Sequence, residues 1–247
     1  MQTYPRVSVV IPALNEEHNL SHVLPRIPHC VSEVLLIDGH STDGTVAVAQ
    51  RMYPSIRILG QHGKGKGNAL RQGFAASTGE IIVMLDADGS TDPVEIPLFV
   101  AALMQGYDFA KGSRFLKGGG SQDITWLRTV GNFSLRALAN CLFGTHFSDL
   151  CYGYNAFKRH CLDRVILDGE GFEIETQLYL RIHRARFAII EVPSIEYPRQ
   201  HGLSNLRPFR DGWSVFRTIL KERWVSLLYT SYAIPESPYR ALPIPPE

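Results

Sequence analysis

Asp86 and Asp88 stand one residue apart at the end of an apolar run, in "VMLDADGSTDP" (83–93). Side chains alternate along an extended segment, so residues i and i+2 face the same way. Two hard oxygen donors on one side suit Mg²⁺ or Mn²⁺. Such an ion keeps waters and takes its remaining ligands from substrate phosphates. A second reading competes: a turn in which Asp and Ser cap the following helix. D-x-D alone does not choose between them.

Its neighbours extend the pattern. "VIPALNEE" places Asn15 and Glu16 after a first strand, and "LLIDGHSTDGT" places Asp38 at the tip of a second. A carboxylate at such a tip can accept hydrogen bonds from a base or a ribose. Asp43 fits turn and N-cap chemistry instead. In "GQHGKGKGNALRQG" the glycines would let the backbone approach an anion, with Lys64 and Lys66 adding charge. The stretch nearly matches a phosphate-binding P-loop, but Gly67 stands where Ser or Thr should hold Mg²⁺. No G-x-G-x-x-G follows a strand, which argues against a dinucleotide fold.

The elements that must carry these residues alternate. Strands are expected at 7–11, 34–37, 56–59 and 81–85, with helices at 16–27, 43–53, 66–77 and 93–105 between them. Strands of nearly continuous Val, Ile and Leu are buried on both faces, which means an α/β fold with a mostly parallel, Rossmann-like sheet flanked by helices. Ligands then bind at the carboxyl ends of the strands, where Asp86 and Asp88 sit. Past residue 107 the pattern predicts a strand in "YDFAKGSRF", a flexible loop in "LKGGGSQD", helices at 125–143, 173–184 and 208–228, and a strand at 188–192. The end, "IPESPYRALPIPPE", carries five prolines and is expected to be extended.

One domain over 1–230 is expected, its nucleotide-binding part about 1–107 and its acceptor part about 108–230, followed by a Pro-rich tail at 231–247. With 25 basic and 24 acidic residues the formal net charge is +1, so no bulk field points to nucleic acid. The four cysteines show no paired spacing and are expected to be reduced thiols of a cytoplasmic protein. No apolar run reaches the ~18–20 residues of a membrane span.

These pieces, in this order, resemble the family 2 glycosyltransferases of the GT-A fold, and within them the dolichol-phosphate mannosyltransferases and bacterial polyprenyl-phosphate relatives. The matching stretches are "IPALNEE" (11–17), "DGHSTDGT" (38–45), "GKGNALRQGF" (65–74), "DADGSTDP" (86–93), "GSRF" (112–115), "SDLCYGYNAF" (148–157) and "PRQHGLSNL" (198–206). The resemblance implies a donor that is a GDP- or UDP-sugar, an acceptor that is a lipid phosphate, and Mg²⁺ or Mn²⁺ as cofactor. It implies that Pro12, Asn15, Glu16 and Asp38 hold base and ribose, that Asp86 and Ala87 lie against ribose or sugar, and that Asp88 holds the metal. Family members carry Gln where this chain has Ser90, so Ser90 would reach the ion through water. Arg114, Arg128 and Arg199 would contact phosphates, two on the lipid side and one on the diphosphate, with Asn132 near the acceptor phosphate. A guanidinium suits this role because its fork binds phosphate oxygens bidentately. Asn205 replaces a lysine common in the family.

The acceptor decides the chemistry. A lipid phosphate is already anionic and needs no general base, and attack opposite the leaving group inverts the anomeric centre. A saccharide hydroxyl needs a base within reach, for which Asp149 is the candidate. A non-catalytic nucleotide-sugar-binding protein is a further alternative. In the last helix Trp213, Phe216, Leu220, Trp224 and Leu227 form one stripe. Residues 181–224 hold nine Lys/Arg against four Asp/Glu. Tryptophan with flanking cations is the composition of a helix lying on a membrane surface, here expected to be the cytoplasmic face, against the alternative of a helix packed on the sheet.

Overall fold

The computed structural model describes residues 4–202 and 206–229, with side chains to 226. The proline-rich tail and Asn205 lie outside the described residues. Four strands, β1 (Val7–Ala13), β2 (Glu33–Asp38), β3 (Arg57–Gly60) and β4 (Ile81–Met84), alternate with helices α1 (Glu17–Val23), α2 (Thr45–Met52) and α3 (Lys66–Ala76). α4 (Ile96–Met104) leads into β5 (Phe109–Ser113), the two-residue β6 (Gly120–Ser121) and α5 (Trp126–Phe143). Then follow β7 (Asn155–Lys158), α6 (Glu173–Arg184), β8 (Ile189–Pro193), β9 (Ile195–Glu196) and α7 (Pro208–Tyr229).

The main sheet has seven strands in the order β3-β2-β1-β4-β7-β5-β8. All neighbours are parallel except β7, which runs antiparallel to both β4 and β5. The continuous apolar runs of the strands have a simple cause. Val7, Val9 and Ile11 face one helical layer, with α1, α2 and α4; Val10, Leu35 and Ile37 face the other, with α3 and α6. Both faces are covered, so both alternate sets are apolar.

Most expected elements are present, and the departures have local causes. The helix expected over 16–27 ends at Val23, because Pro25 turns the chain into a short 3₁₀ segment over Leu24–Arg26. The one expected from 93 begins as a 3₁₀ turn, Pro93–Glu95, with the Asp92 carboxylate accepting from the Val94 N–H at 3.1 Å. The glycine-rich loop after β5 is partly ordered by β6 pairing with β9. β7 was not expected: four residues after a run of Gly and Tyr carry no periodicity, and only the pairing with β4 and β5 defines them. α5 matches its expected span because both ends are marked. Thr125 caps its start by accepting the Arg128 N–H, and Gly144 ends it with a left-handed φ of 67°.

Candidate active site

In register, Ala13 pairs with Asp38 and Asp38 with Gly60, so the carboxyl ends of β1, β2 and β3 finish level. β4 pairs Met84 with Val10, and its continuation is held there by the Leu85 N–H donating to Val10. The strand tips therefore open onto one rim. There Pro12, Glu16, Lys66, Asp86, Asp88 and Arg199 line a polar cleft of about 380 Å³, with Ala87 between the two aspartates. The loops after β1 and β2 are tied together. Asn15 sits at φ 56°, accepts the Thr42 N–H on its amide oxygen at 2.8 Å and donates its own N–H to Ser41 Oγ at 2.9 Å. The Asp38 carboxylate, nearly buried, accepts the Ser41 N–H.

The two aspartates of D-x-D have different company. Lys66 Nζ lies 2.6 Å from Asp86 and 2.7 Å from Glu175, at the floor of the cleft. Burial drives the Asp86 carboxyl up to about 6; Lys66 opposes this, while Asp88 and Glu175 add to it. Burial also opposes the charge of Lys66, but Asp86 and Glu175 hold its ammonium well above the ordinary lysine value. Asp88 accepts both Ser90 N–H, at 3.0 Å, and Ser90 Oγ–H, at 2.6 Å, on one oxygen, and Arg199 at 3.3 Å on the other. Ser90 thus stands behind Asp88 as a donor that fixes its carboxylate. Arg199 also grips Glu16, 2.7 Å from each carboxylate oxygen. Burial nonetheless raises the Glu16 carboxyl above its usual range, against Arg199 and Asn19.

The residues expected on the acceptor side form a second cluster. Arg114 is buried, with Nε 2.7 Å and Nη2 3.0 Å from the two oxygens of Asp149, and Nη1 3.0 Å from Glu196. Glu196 then reaches Arg128 at 3.2 Å. Asn132 accepts the N–H groups of Leu150 and Cys151, fixing the loop that carries Asp149. Arg114, Arg128 and Asn132 line a second cavity of about 270 Å³, whose other walls include Leu127, Leu135 and Val215. Phe172 lines both cavities, and Glu175 joins the second one to Lys66.

Three sequence expectations change here. Asp149 is fully buried and both its oxygens are committed to Arg114, which holds the carboxyl below its usual range despite burial. A carboxylate so placed is no free base for a hydroxyl. Arg114 is correspondingly occupied, and of the two lipid-side arginines only Arg128 is partly open, its side chain 26% exposed. Lys64 is exposed, outside the cleft lining and without an ion pair among the described residues. Glu175, Phe172 and Glu196 escaped the sequence reading. Each sits far along the chain from the D-x-D turn, and only the packing of α6 and β9 brings it in.

The glycines of "GKGKG" also serve differently. Gly65, at φ 85°, and Gly67 press against the loop at 169–171: a Cβ would meet the Glu170 oxygen at 2.3 Å and the Gly169 oxygen at 2.4 Å, respectively. Gly67 N–H donates to the Glu170 carbonyl at 2.8 Å. The close approach is backbone to backbone, not to an anion, which removes the P-loop reading. Gly67→Ala is expected to force these loops apart, at about 1–3 kcal/mol. Thermal unfolding should fall by several degrees and the donor KM rise, because Lys66 shifts with the loop; an unchanged melt would show the contact to be slack.

Comparison with known proteins agrees with this geometry. Residues 8–166 match the model of glycosyl transferase family 2. Glycosyltransferase AglJ of Haloferax volcanii is 32% identical over 221 residues, covering 87% of this chain and 71% of its own. Polyprenol monophosphomannose synthase of Mycolicibacterium smegmatis is 30% identical over 219 residues, covering 81% of each. The glucosyl-3-phosphoglycerate synthase of Mycobacterium tuberculosis, solved with Mn²⁺, UDP-glucose and phosphoglyceric acid, superposes with a TM-score of 0.72 at 24% identity, over 89% of this chain and 80% of that one. With strand tips meeting at a D-x-D turn and the family pattern running through most of its length, the chain belongs to the family 2 glycosyltransferases and has their GT-A fold.

Proposed function

We propose that this enzyme transfers a sugar from a nucleoside diphosphate sugar to a polyprenyl phosphate, with inversion and with a divalent cation. One observation carries the reading: a polar, acid-lined cleft and an apolar cavity edged by Arg128 share a wall at Phe172. A sugar diphosphate fits the first. An isoprenoid chain ending in a phosphate fits the second.

The residues of the cleft suit Mg²⁺ or Mn²⁺. The donors are hard oxygens, and three carboxylates, Glu16, Asp86 and Asp88, line the cleft. Among the described residues no three acidic, His or Cys side chains form a closed cage. Asp88, its carboxylate fixed by the Ser90 donors, would hold the ion, the rest of the shell being left to water and donor phosphate oxygens, while Asp86 stays on Lys66. When bound, the ion neutralises charge on the leaving diphosphate. Arg199 adds a guanidinium on the same side, steadied by Glu16 and Asp88. On the other side Arg128 turns the acceptor phosphate toward the cleft. That phosphate is anionic and attacks without a base, in keeping with the engagement of Asp149. The donor panel tests this: GDP- and UDP-sugars with Mn²⁺ and a short polyprenyl phosphate, followed by organic extraction. A labelled lipid product is expected with one donor class. Transfer only to a saccharide hydroxyl would refute it.

The outer helices fit a membrane-bound acceptor. All three tryptophans are more than half exposed: Trp126 on α5 (78%), Trp213 (60%) and Trp224 (68%) on α7. Tryptophan is otherwise among the well-buried residues. α7 packs through Val215 and Ile219, leaving Trp213, Leu220 and Trp224 outward, with Arg217 and Lys221 beside them. Among the described residues no helix is long and apolar enough to cross a membrane. Such a face docks on the surface of one. Anionic vesicles at low salt are expected to shift tryptophan emission to the blue and to co-sediment the protein. Trp213→Ser/Trp224→Ser should weaken both; an emission spectrum indifferent to vesicles would refute docking.

A further inference from the structure

We infer that Arg207 and Arg210, at the start of α7, clamp the diphosphate of the donor. The inference rests on the donor reading above and assigns the charge balance of that cleft. Three acids line it, Glu16, Asp86 and Asp88, and its two other cations are already engaged. Lys66 is held between Asp86 and Glu175. Arg199 is held between Glu16 and Asp88. Neither can turn wholly to an incoming anion without stripping a carboxylate of its partner.

Arg207 and Arg210 differ. Both line the same cleft, and both are exposed. Among the described residues the Arg207 guanidinium makes no hydrogen bond or ion pair; only its backbone is engaged, the N–H donating to Asp211 at 2.7 Å. Arg210 touches Asp211 through Nε alone, at 3.3 Å, with its side chain 71% exposed. Asp211 itself is buried and pins the turn that carries both arginines. The residues between them, Pro208 and Phe209, line the apolar cavity instead. This one turn therefore directs its cations to the polar side of the partition and its apolar groups to the other. A diphosphate adds several negative charges to a cleft already rich in carboxylates. Two uncommitted forks that bind phosphate oxygens in pairs are the groups present to balance it. They serve the diphosphate rather than the acceptor phosphate because they line the cleft of Asp88, not the cavity of Arg128.

Calorimetric titration with GDP and UDP in the presence of Mn²⁺ tests the assignment, with guanosine and uridine as probes lacking phosphate. Arg207→Gln and Arg210→Gln are each expected to weaken the diphosphate about tenfold, and together more, as loss of a charge-assisted hydrogen bond does. Nucleoside binding and the melt should stay as in the wild type. Arg51→Gln, exposed on α2 and lining neither cavity, should leave the diphosphate affinity unchanged. If the wild-type chain binds neither diphosphate, the donor reading falls and this assignment with it. If it binds one and the variants bind it equally, only the assignment falls. The same holds if the variants raise the KM for polyprenyl phosphate alone.

Discussion

Asp88→Ala is expected to abolish transfer, by about a thousandfold or more, and to remove the Mn²⁺ dependence of nucleotide binding. The carboxylate is the member of the pair free to take a cation: its partners are the Ser90 donors and a long contact to Arg199. Asp86, by contrast, is tied to Lys66. Loss of electrostatic stabilisation at a leaving group is worth about 3–4 kcal/mol even for one neutral donor, and a divalent charge exceeds that. The fold should survive. Asp88 is partly exposed, so the freed Ser90 groups can meet water, and Arg199 keeps Glu16. The experiment pairs a Mn²⁺ titration of nucleotide affinity with a melt. Affinity and metal response equal to the wild type would overturn the metal assignment, whereas a collapsed melt would move Asp88 into the structural framework.

Arg114→Ala is expected to be the most destabilising single change on the acceptor side. The guanidinium lies between Asp149 and Glu196, with side-chain exposures of 2% for Arg114, 0% for Asp149 and 7% for Glu196. Removing it strands a buried carboxylate, which costs about 3–5 kcal/mol. For a chain of this size that lowers the melting temperature by roughly 10 °C or more. The apolar pair Arg114→Met/Asp149→Leu should recover part of the loss, because it removes both charges together. The pH dependence follows the same bond. The Asp149 carboxyl is held below its unfolded value, so its contribution is present above about pH 4 and is lost as pH falls through the folded value. The double variant should therefore lose stability less steeply in acid than the wild type. Equal slopes would place the pairing energy elsewhere. Activity adds a second readout: if Arg114 positions Arg128 through Glu196, the KM for lipid phosphate rises before kcat falls.

The parts legible in the sequence are those whose signals are local. Nearly continuous apolar runs defined β1, β2 and β4, and cap residues marked the ends of α5. The D-x-D turn, Glu16 and Arg199 meet in one cleft, as their motifs suggested. What stayed hidden depends on partners distant in the chain. Glu175 shares Lys66 with Asp86 from a position 89 residues downstream of that aspartate, so no spacing rule could find it. Asp149 has the residue type of a base and the position of a loop, and only the fork of Arg114 closing on it shows otherwise. The glycines near Lys66 looked like an anion cradle because approach to phosphate and approach to another backbone demand the same missing Cβ.

The backward run of β7 has a consequence for how such enzymes diversify. Because Asn155 pairs with Met84, the segment before β7 emerges on the rim where the other strands end. Under the proposed reading, a single sheet thus delivers donor loops by leaving strands and an acceptor loop by entering one. The ladder itself is indifferent to what that entering loop carries. Under the same reading, acceptor preference can then be rewritten by grafting residues 114–154 from one relative to another while the paired residues of the seven-stranded sheet are kept.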